Sequence, residues 1–299
     1  MIAHRHHPDI DKAQWDRMLA ACSNRMWYAR SWVLDIASPG WNALIDEEHG
    51  AIMPLTWRSR WGVHYLHQPF GLQQLGVFAP VPEEKLHAVF LRAVPAQYRY
   101  WDIYLNEAMT SVPLGRTMVC TEQVVDILGD PEAQRAAYSQ GHRRNLRKAA
   151  AHADRITWEI SAAEFAALFA STTGARYKVP KRDLTMMEGL ITMAMQRGEA
   201  RMLGLRDGGR LVAAACMVEA DGRAIFLKSA VNLRGQELHA MFLLVDHYLT
   251  QAKAGCTLFD LAGSNTPSVA RFNAGFGARS SVYLRLLRNA LPAPFRWLK

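Results

Sequence analysis

One order of secondary-structure signals runs twice along the 299 residues, and no other feature restricts the possible folds as strongly. In the first half, residues 41–45, 51–57 and 63–66 have the alternation and β-branched or aromatic content that predict strands. Asp46-Glu47-Glu48-His49-Gly50 makes a turn between the first two. Glu84 to Leu91 then places apolar residues at helical spacing, and residues 101–105 close the series as a strand. The second half repeats this with strands at 200–205, 211–219 and 223–231. Asp207-Gly208-Gly209 and Asp221-Gly222 separate them, the latter a hairpin dipeptide that tolerates positive φ. A helix from Gln236 through Leu243 and a strand at 257–261 complete the set. Both helices contain Leu-His-Ala-x-Phe-Leu, beginning at Leu86 and Leu238, and each precedes a strand with one aspartate, Asp102 or Asp260. A duplicated α/β unit explains both the order and the motif.

Gly129-Asp130-Pro131 is the natural break, so the expected domains are 1–128 and 129–299, each long enough to bury its own core. After the break a helix is expected over 135–153, a strand over 156–160, and helices over 162–172 and 184–197. The division makes the charge informative. The net +8 separates into 11 Lys/Arg against 13 Asp/Glu before residue 129 and 24 against 14 after it. An anionic partner is therefore expected on the second half.

Other classes drop out on simple grounds. The longest apolar run is residues 211–218, far short of the roughly 20 residues that cross a bilayer. The opening Met1-Ile2-Ala3-His4-Arg5-His6-His7-Pro8 lacks the apolar centre of a secretory signal. Cys22, Cys120, Cys216 and Cys256 are widely spaced and predict neither a disulfide frame nor a zinc site. A cytoplasmic protein with no integral membrane segment is the expectation. His64 and His67, three apart on a strand, point to opposite faces and predict no metal site.

The stretch Val269-Ala270-Arg271-Phe272-Asn273-Ala274-Gly275-Phe276-Gly277-Ala278, opened by Asn265-Thr266-Pro267, resembles the last helix and turn of the GNAT fold. Ser139 to Ala149 resembles the Ser-…-Arg-x-Asn-x-x-Lys-Ala segment of Fem-type peptidyltransferases, and Phe259 to Ser264 an aromatic-Asp-x-x-Gly strand end. Together with the duplication, the chain resembles tandem-GNAT Fem-type peptidyltransferases and their relatives with a BioF2-like acetyltransferase domain. That resemblance implies an α/β (α+β) architecture of two GNAT-like units, each a mixed, largely antiparallel sheet flanked by helices. It implies an amide-forming acyltransferase. The donor would be aminoacyl-tRNA or an acyl-CoA, with no tightly bound cofactor and no metal. The acceptor would be an amine on a peptidoglycan-precursor-like or other small substrate. An acetyl-CoA-dependent N-acetyltransferase and a non-catalytic anion-binding scaffold are the alternatives.

The candidate residues follow from strand ends, helix starts and charge. Asp260 at a strand end and His239 are candidate proton acceptors, Lys228 or backbone amides of the preceding strand are candidates for steadying the reacting oxygen, and Tyr283 is a further catalytic candidate of the same region. Ser264 and Arg271 belong to the same region as expected substrate contacts. The resemblance implies an acceptor side in the first unit, with Gln68, Gln73, Gln74 and Tyr104 as its candidates, and a glutamine-rich, glycine-punctuated loop there suits a sugar or peptide. Arg143, Arg144, Arg147 and Lys148 stack like charges along one helix face and are the expected phosphate or tRNA contacts. No aromatics interleave them, so no sequence-specific reading of RNA is expected there. Arg234, Gly235 and Gln236 occupy the place of a GNAT pyrophosphate loop. With one glycine and with Glu237 in the first turn, that loop departs from the pattern and favours an aminoacyl donor over CoA.

Overall fold

The computed structural model describes residues 1–251, 255–263 and 265–292, and the chain forms two compact units. The first comprises Met1–Thr121 together with the end of the chain from Val282, and the second is Glu122–Ser281. The division falls seven residues before the one expected from sequence, and the last strand crosses into the first unit.

In the first unit, β1 (Ala3–Arg5), β2 (Asn42–Asp46) and β3 (Ala51–Leu55) make a small antiparallel sheet, with α1 (Lys12–Ala21) and α2 (Ser31–Ala37) between β1 and β2. Asp11 caps α1 by accepting the Gln14 amide. The strand expected over 51–57 is in fact two. It breaks at Thr56, and β4 (Trp57–Arg60) pairs instead with β5 (Val63–His67). From β5 the chain crosses through α3 (Glu84–Ala93) to β6 (Tyr98–Tyr104), which lies parallel to β5. Phe90, Leu91, Trp101 and Leu105 pack with Leu286 in the core of this unit.

The second unit takes its first strand from the C-terminal part of β7 (Arg116–Asp126). Helices α4 (Pro131–Ala136) and α5 (Gln140–Ala149) follow, where sequence predicted one helix over 135–153. Ser139 interrupts it, ending one helix and capping the next through the His142 amide. After the short β8 (Ile156–Thr157) come α6 (Ala162–Phe169), with a full capping box at Ser161 and Glu164, and α7 (Lys181–Gln196). Strands β9 (Ala200–Asp207), β10 (Arg210–Ala220) and β11 (Arg223–Val231) form an antiparallel meander. Next are α8 (Leu233–Glu237), α9 (Ala240–Thr250), β12 (Leu258–Gly263), α10 (Pro267–Ala274) and β13 (Arg279–Asn289). The helix expected over 236–243 is therefore split at His239, whose backbone is left-handed at φ +53°.

The β5–α3–β6 and β11–α9–β12 crossovers are the two copies of the repeat, each joining parallel strands. Each copy is closed by an antiparallel strand that follows the other copy in sequence. β7 pairs with β12 through Asp126↔Leu258, and β13 pairs with β6 through Arg285↔Tyr104. Among the described residues no helix is long and apolar enough to cross a membrane.

Candidate functional site

The two copies differ where their parallel strands should part. In the second unit the β11–β12 ladder runs from Arg223↔Leu258 to Ile225↔Asp260 and stops. From Phe226 to Val231, β11 stays paired to β10 but has no strand partner on its β12 side among the described residues. A bulge at Leu227, between the pairs Met217↔Phe226 and Cys216↔Lys228, turns the strand at this point. A half-open edge of this kind can accept an extended chain as an added strand.

In the first unit the same place is filled. Beyond His67↔Asp102, the Gln68 amide donates to the Asp102 carbonyl at 3.0 Å, and Leu75 forms a parallel bridge with Leu105. The Leu75 amide donates to Tyr104 O at 2.9 Å and the Asn106 amide to Leu75 O at 2.7 Å. Gln68 binds backbone on both sides. Its Oε1 accepts the Tyr104 amide and its Nε2 donates to Leu72 O, both at 3.0 Å. Gln74 is fully buried and Gln73 half-buried. The glutamine-rich loop thus plugs the first copy's opening. Tyr104 is half-buried, with its ring 6.0 Å from that of Tyr283, and burial raises its hydroxyl pKa. Tyr283 lies in the first unit, so it is placed with Tyr104 rather than with the residues of β12.

Lys228 stands on the stretch of β11 that pairs with β10 alone among the described residues. Its ammonium is packed so far into protein that burial brings its pKa down from 10.5 to about 8, although the residue keeps partial access to solvent. Asp260 has a different setting. It is almost fully buried, its Oδ2 lies 3.2 Å from Arg223, and its Oδ1 accepts the Ala262 amide at 2.8 Å. That second bond holds Ala262 at φ +51° inside the β12 bulge, between Asp260↔Val124 and Gly263↔Glu122. Arg223 also faces the buried Glu122 at 3.5 Å. Asp260 therefore holds the strand end in shape, and its lone pairs are engaged by Arg223 and Ala262. Asp260→Asn, which keeps the Oδ1 acceptor but removes the charge, should cost about 2 kcal/mol in urea unfolding.

The helix starts beside this strand are informative. Gly235 lies against β10, where a Cβ would overlap the Val212 carbonyl oxygen and come within 2.9 Å of Val231, so packing alone requires glycine. The Gly235 amide donates to Asn232 Oδ1, and the Gln236, Leu238 and His239 amides donate to Asn232, Arg234 and Gln236 carbonyls. Arg234 pairs with Asp207 at 2.7 Å and Glu237 at 3.1 Å. These residues form no open pyrophosphate cradle. Further on, α9 begins without a side-chain cap, with His239 at its Ncap. Its first turn meets that of α5, the His142 and Phe242 rings being 4.9 Å apart.

On α5 itself the charges divide. Arg143 donates to the Ala136 and Tyr138 carbonyls and so closes the end of α4. Arg144, Arg147 and Lys148 are exposed and make no ion pair among the described residues. His142, which sequence reading passed over, is the packing centre. Its Nε2 lies 2.8 Å from the Phe272 carbonyl and its Nδ1 3.1 Å from Ser139 Oγ, against Phe242, Phe272 and Phe276. Arg271 is exposed on α10, and Ser264 lies outside the described residues.

Residues 136–268 match the model of the acetyltransferase (GNAT) domain. The second unit has the GNAT fold. Among solved structures the chain is similar to FemX, at 12% identity over 99% of both chains with a TM-score of 0.66. It is also similar to a tandem GNAT protein from the clavulanic acid biosynthesis pathway, at 14% identity over 98% of this chain and 100% of that one, TM-score 0.55. A third is the C-terminal domain of a protein described as a lysylphosphatidylglycerol synthetase from Agrobacterium fabrum, at 13% identity over 96% and 93%, TM-score 0.53. No curated protein sequence matches the chain. These likenesses show the fold, a mixed sheet flanked by helices of the tandem GNAT kind. Within the GNAT unit, β11 from Phe226 onward pairs with β10 alone among the described residues, and α9 starts without a side-chain cap.

Proposed function

We propose that the GNAT unit joins an acyl group to an amine, with the donor lying along the open edge of β11 and the first unit serving the acceptor. One observation carries this reading. The copy that bears the basic excess has an open strand edge with a depressed-pKa lysine on it, whereas the other copy's edge is filled by its own Gln68–Leu75 loop. The Lys228 ammonium would stabilise the oxygen of the tetrahedral intermediate as the amine nitrogen attacks the acyl carbonyl. The C–N bond forms, the bond from carbonyl carbon to the leaving oxygen or sulfur breaks, and the amine proton ends on the leaving group. His239, beside the opening of α9, remains as the proton carrier once Asp260 is assigned to Arg223 and Ala262.

The donor we favour is an aminoacyl ester on tRNA. The Gly235, Gln236, Leu238 and His239 amides are engaged internally, which disfavours a CoA pyrophosphate. The exposed, unpaired Arg144, Arg147 and Lys148 suit a phosphodiester chain. FemX and the lysylphosphatidylglycerol synthetase domain share this fold, which is compatible with aminoacyl transfer to a peptidoglycan-precursor-like or other small amine acceptor. Acetyl-CoA is the second reading, because the matched family model is that of an acetyltransferase. Filter binding of aminoacyl-tRNA and thermal shift with acetyl-CoA separate them. Binding of the first and not the second is expected, and binding of neither would overturn acyl transfer.

A further inference from the structure

A second cationic stretch belongs to the GNAT unit. Helix α6 runs into a π-helical turn over Ala170–Gly174, after which residues 175–182 read Ala-Arg-Tyr-Lys-Val-Pro-Lys-Arg. No acid occurs between Glu164 and Asp183. Arg182 lies 3.4 Å from Asp183, while Arg176, Lys178 and Lys181 are exposed and make no ion pair among the described residues. Between these cations Tyr177 is 57% exposed, with the Arg176 guanidinium 5.6 Å from its ring centre. This is the combination absent from α5, an exposed aromatic ring set among cations that make no ion pair among the described residues.

Hydrogen bonds fix where the stretch stands. The Tyr177 amide donates to the Thr173 carbonyl at 3.0 Å and the Val179 amide to Gly174 at 2.9 Å, with Lys178 left-handed at φ +50° between them. Thr173 in turn donates its hydroxyl to the carbonyl of Ser229 at 3.4 Å, and Ser229 follows Lys228 on β11. The aromatic turn is thus tied, through one threonine, to the open strand.

We infer that the turn from Arg176 to Lys181 seats single-stranded nucleic acid, Tyr177 stacking on a base and Arg176, Lys178 and Lys181 meeting backbone phosphates. Stacking tolerates any base, and the cations follow the chain without reading it. The inference rests on the aminoacyl-tRNA reading above and deepens it, because the acylated end of a tRNA is an unpaired strand that must come to the open edge of β11. A lipid surface fits less well. Interfacial binding needs several apolar side chains to bury, and Tyr177 is the one large exposed apolar residue in this turn.

Fluorescence anisotropy with the full chain tests it, using uncharged tRNA and a short unpaired oligoribonucleotide as probes. Tyr177→Ala should weaken both about tenfold or more, and Tyr177→Phe, which keeps the ring, should stay within about twofold. Lys178→Gln with Lys181→Gln should flatten the slope of log K against log salt by about 1.4. If Tyr177→Ala binds RNA as the unaltered protein does, the inference fails while the donor reading stands. If the unaltered protein binds no RNA but turns over acetyl-CoA, the aminoacyl donor fails and takes this seat with it. Tyr177-dependent binding to phosphatidylglycerol vesicles, without RNA binding, would overturn it in favour of a membrane.

Discussion

Replacing Gly275 with alanine should destabilise the GNAT unit by about 3 kcal/mol, read as a fall in the urea midpoint. The backbone at Gly275 is ordinary helix-end geometry, at φ −67°, so no conformational strain is involved. The cause is contact. A Cβ there would overlap the His142 ring at Cε1, Nδ1 and Nε2. That ring cannot swing aside without loss, because Ser139 and the Phe272 carbonyl hold its two nitrogens and three phenylalanines enclose it. The Gly275 carbonyl also accepts the Ser139 amide at 2.9 Å, so any backbone retreat opens the start of α5. His142→Ala alone should destabilise too, by emptying the same space. The double variant should be more stable than the two losses summed, by about 2 kcal/mol, since alanine at 275 fills what the imidazole vacates. Simple additivity would show that the two residues do not share that space.

This pair also shows what a sequence reading reaches and what it misses. The Gly-Phe step after α10 is legible as a turn, and His142 is legible only as a member of a basic segment. Their contact spans more than 130 positions and leaves no local periodicity. The repeated Leu-His-Ala-x-Phe-Leu shows the same limit. Phe90 and Leu91 are buried, and Leu243 takes a matching core position, so the apolar part of the motif keeps its role in both copies. The histidines part company. His87 is fully buried within α3, whereas His239 sits left-handed at the break between α8 and α9. Propensity predicts a helix through both, and the left-handed backbone that breaks the second at His239 leaves no local signal in the residues. Strand order is likewise hidden. The last strand announces itself as a strand, but nothing in its residues says that Arg285–Asn289 pairs with the first copy's β6. The open edge leaves no signal in the sequence, because it is defined by where pairing stops. In the first copy, Leu75 closes it from outside either strand.

Lys228 is where stability and the proposed chemistry oppose each other, and that opposition makes its role testable. With its pKa lowered from 10.5 to about 8, the ammonium is the disfavoured form in the fold but still the main one at pH 7. As an oxyanion donor it must be charged, so kcat should be level below about pH 7.5 and fall through pH 8. A lysine acting as a base would give the opposite limb, rising through pH 8. Lys228→Met should lower kcat at least about a hundredfold. Lys228→Arg should keep part of the rate and lose the alkaline limb, because guanidinium stays charged there. The stability signs are opposite. Between pH 8 and 10.5 the unfolded chain binds the proton that the native site has released, so native stability rises with pH across that window. The full shift is worth about 3.4 kcal/mol, and partial solvent access reduces it to roughly 2. Lys228→Met should therefore unfold at higher urea than the unaltered protein at pH 7 while being nearly inactive. A lysine kept only for packing would show the reverse, lost stability with the rate retained. A lysine buried against the fold's own interest, on the side of β11 that no strand pairs among the described residues, is the reason these two readouts are expected to move in opposite directions.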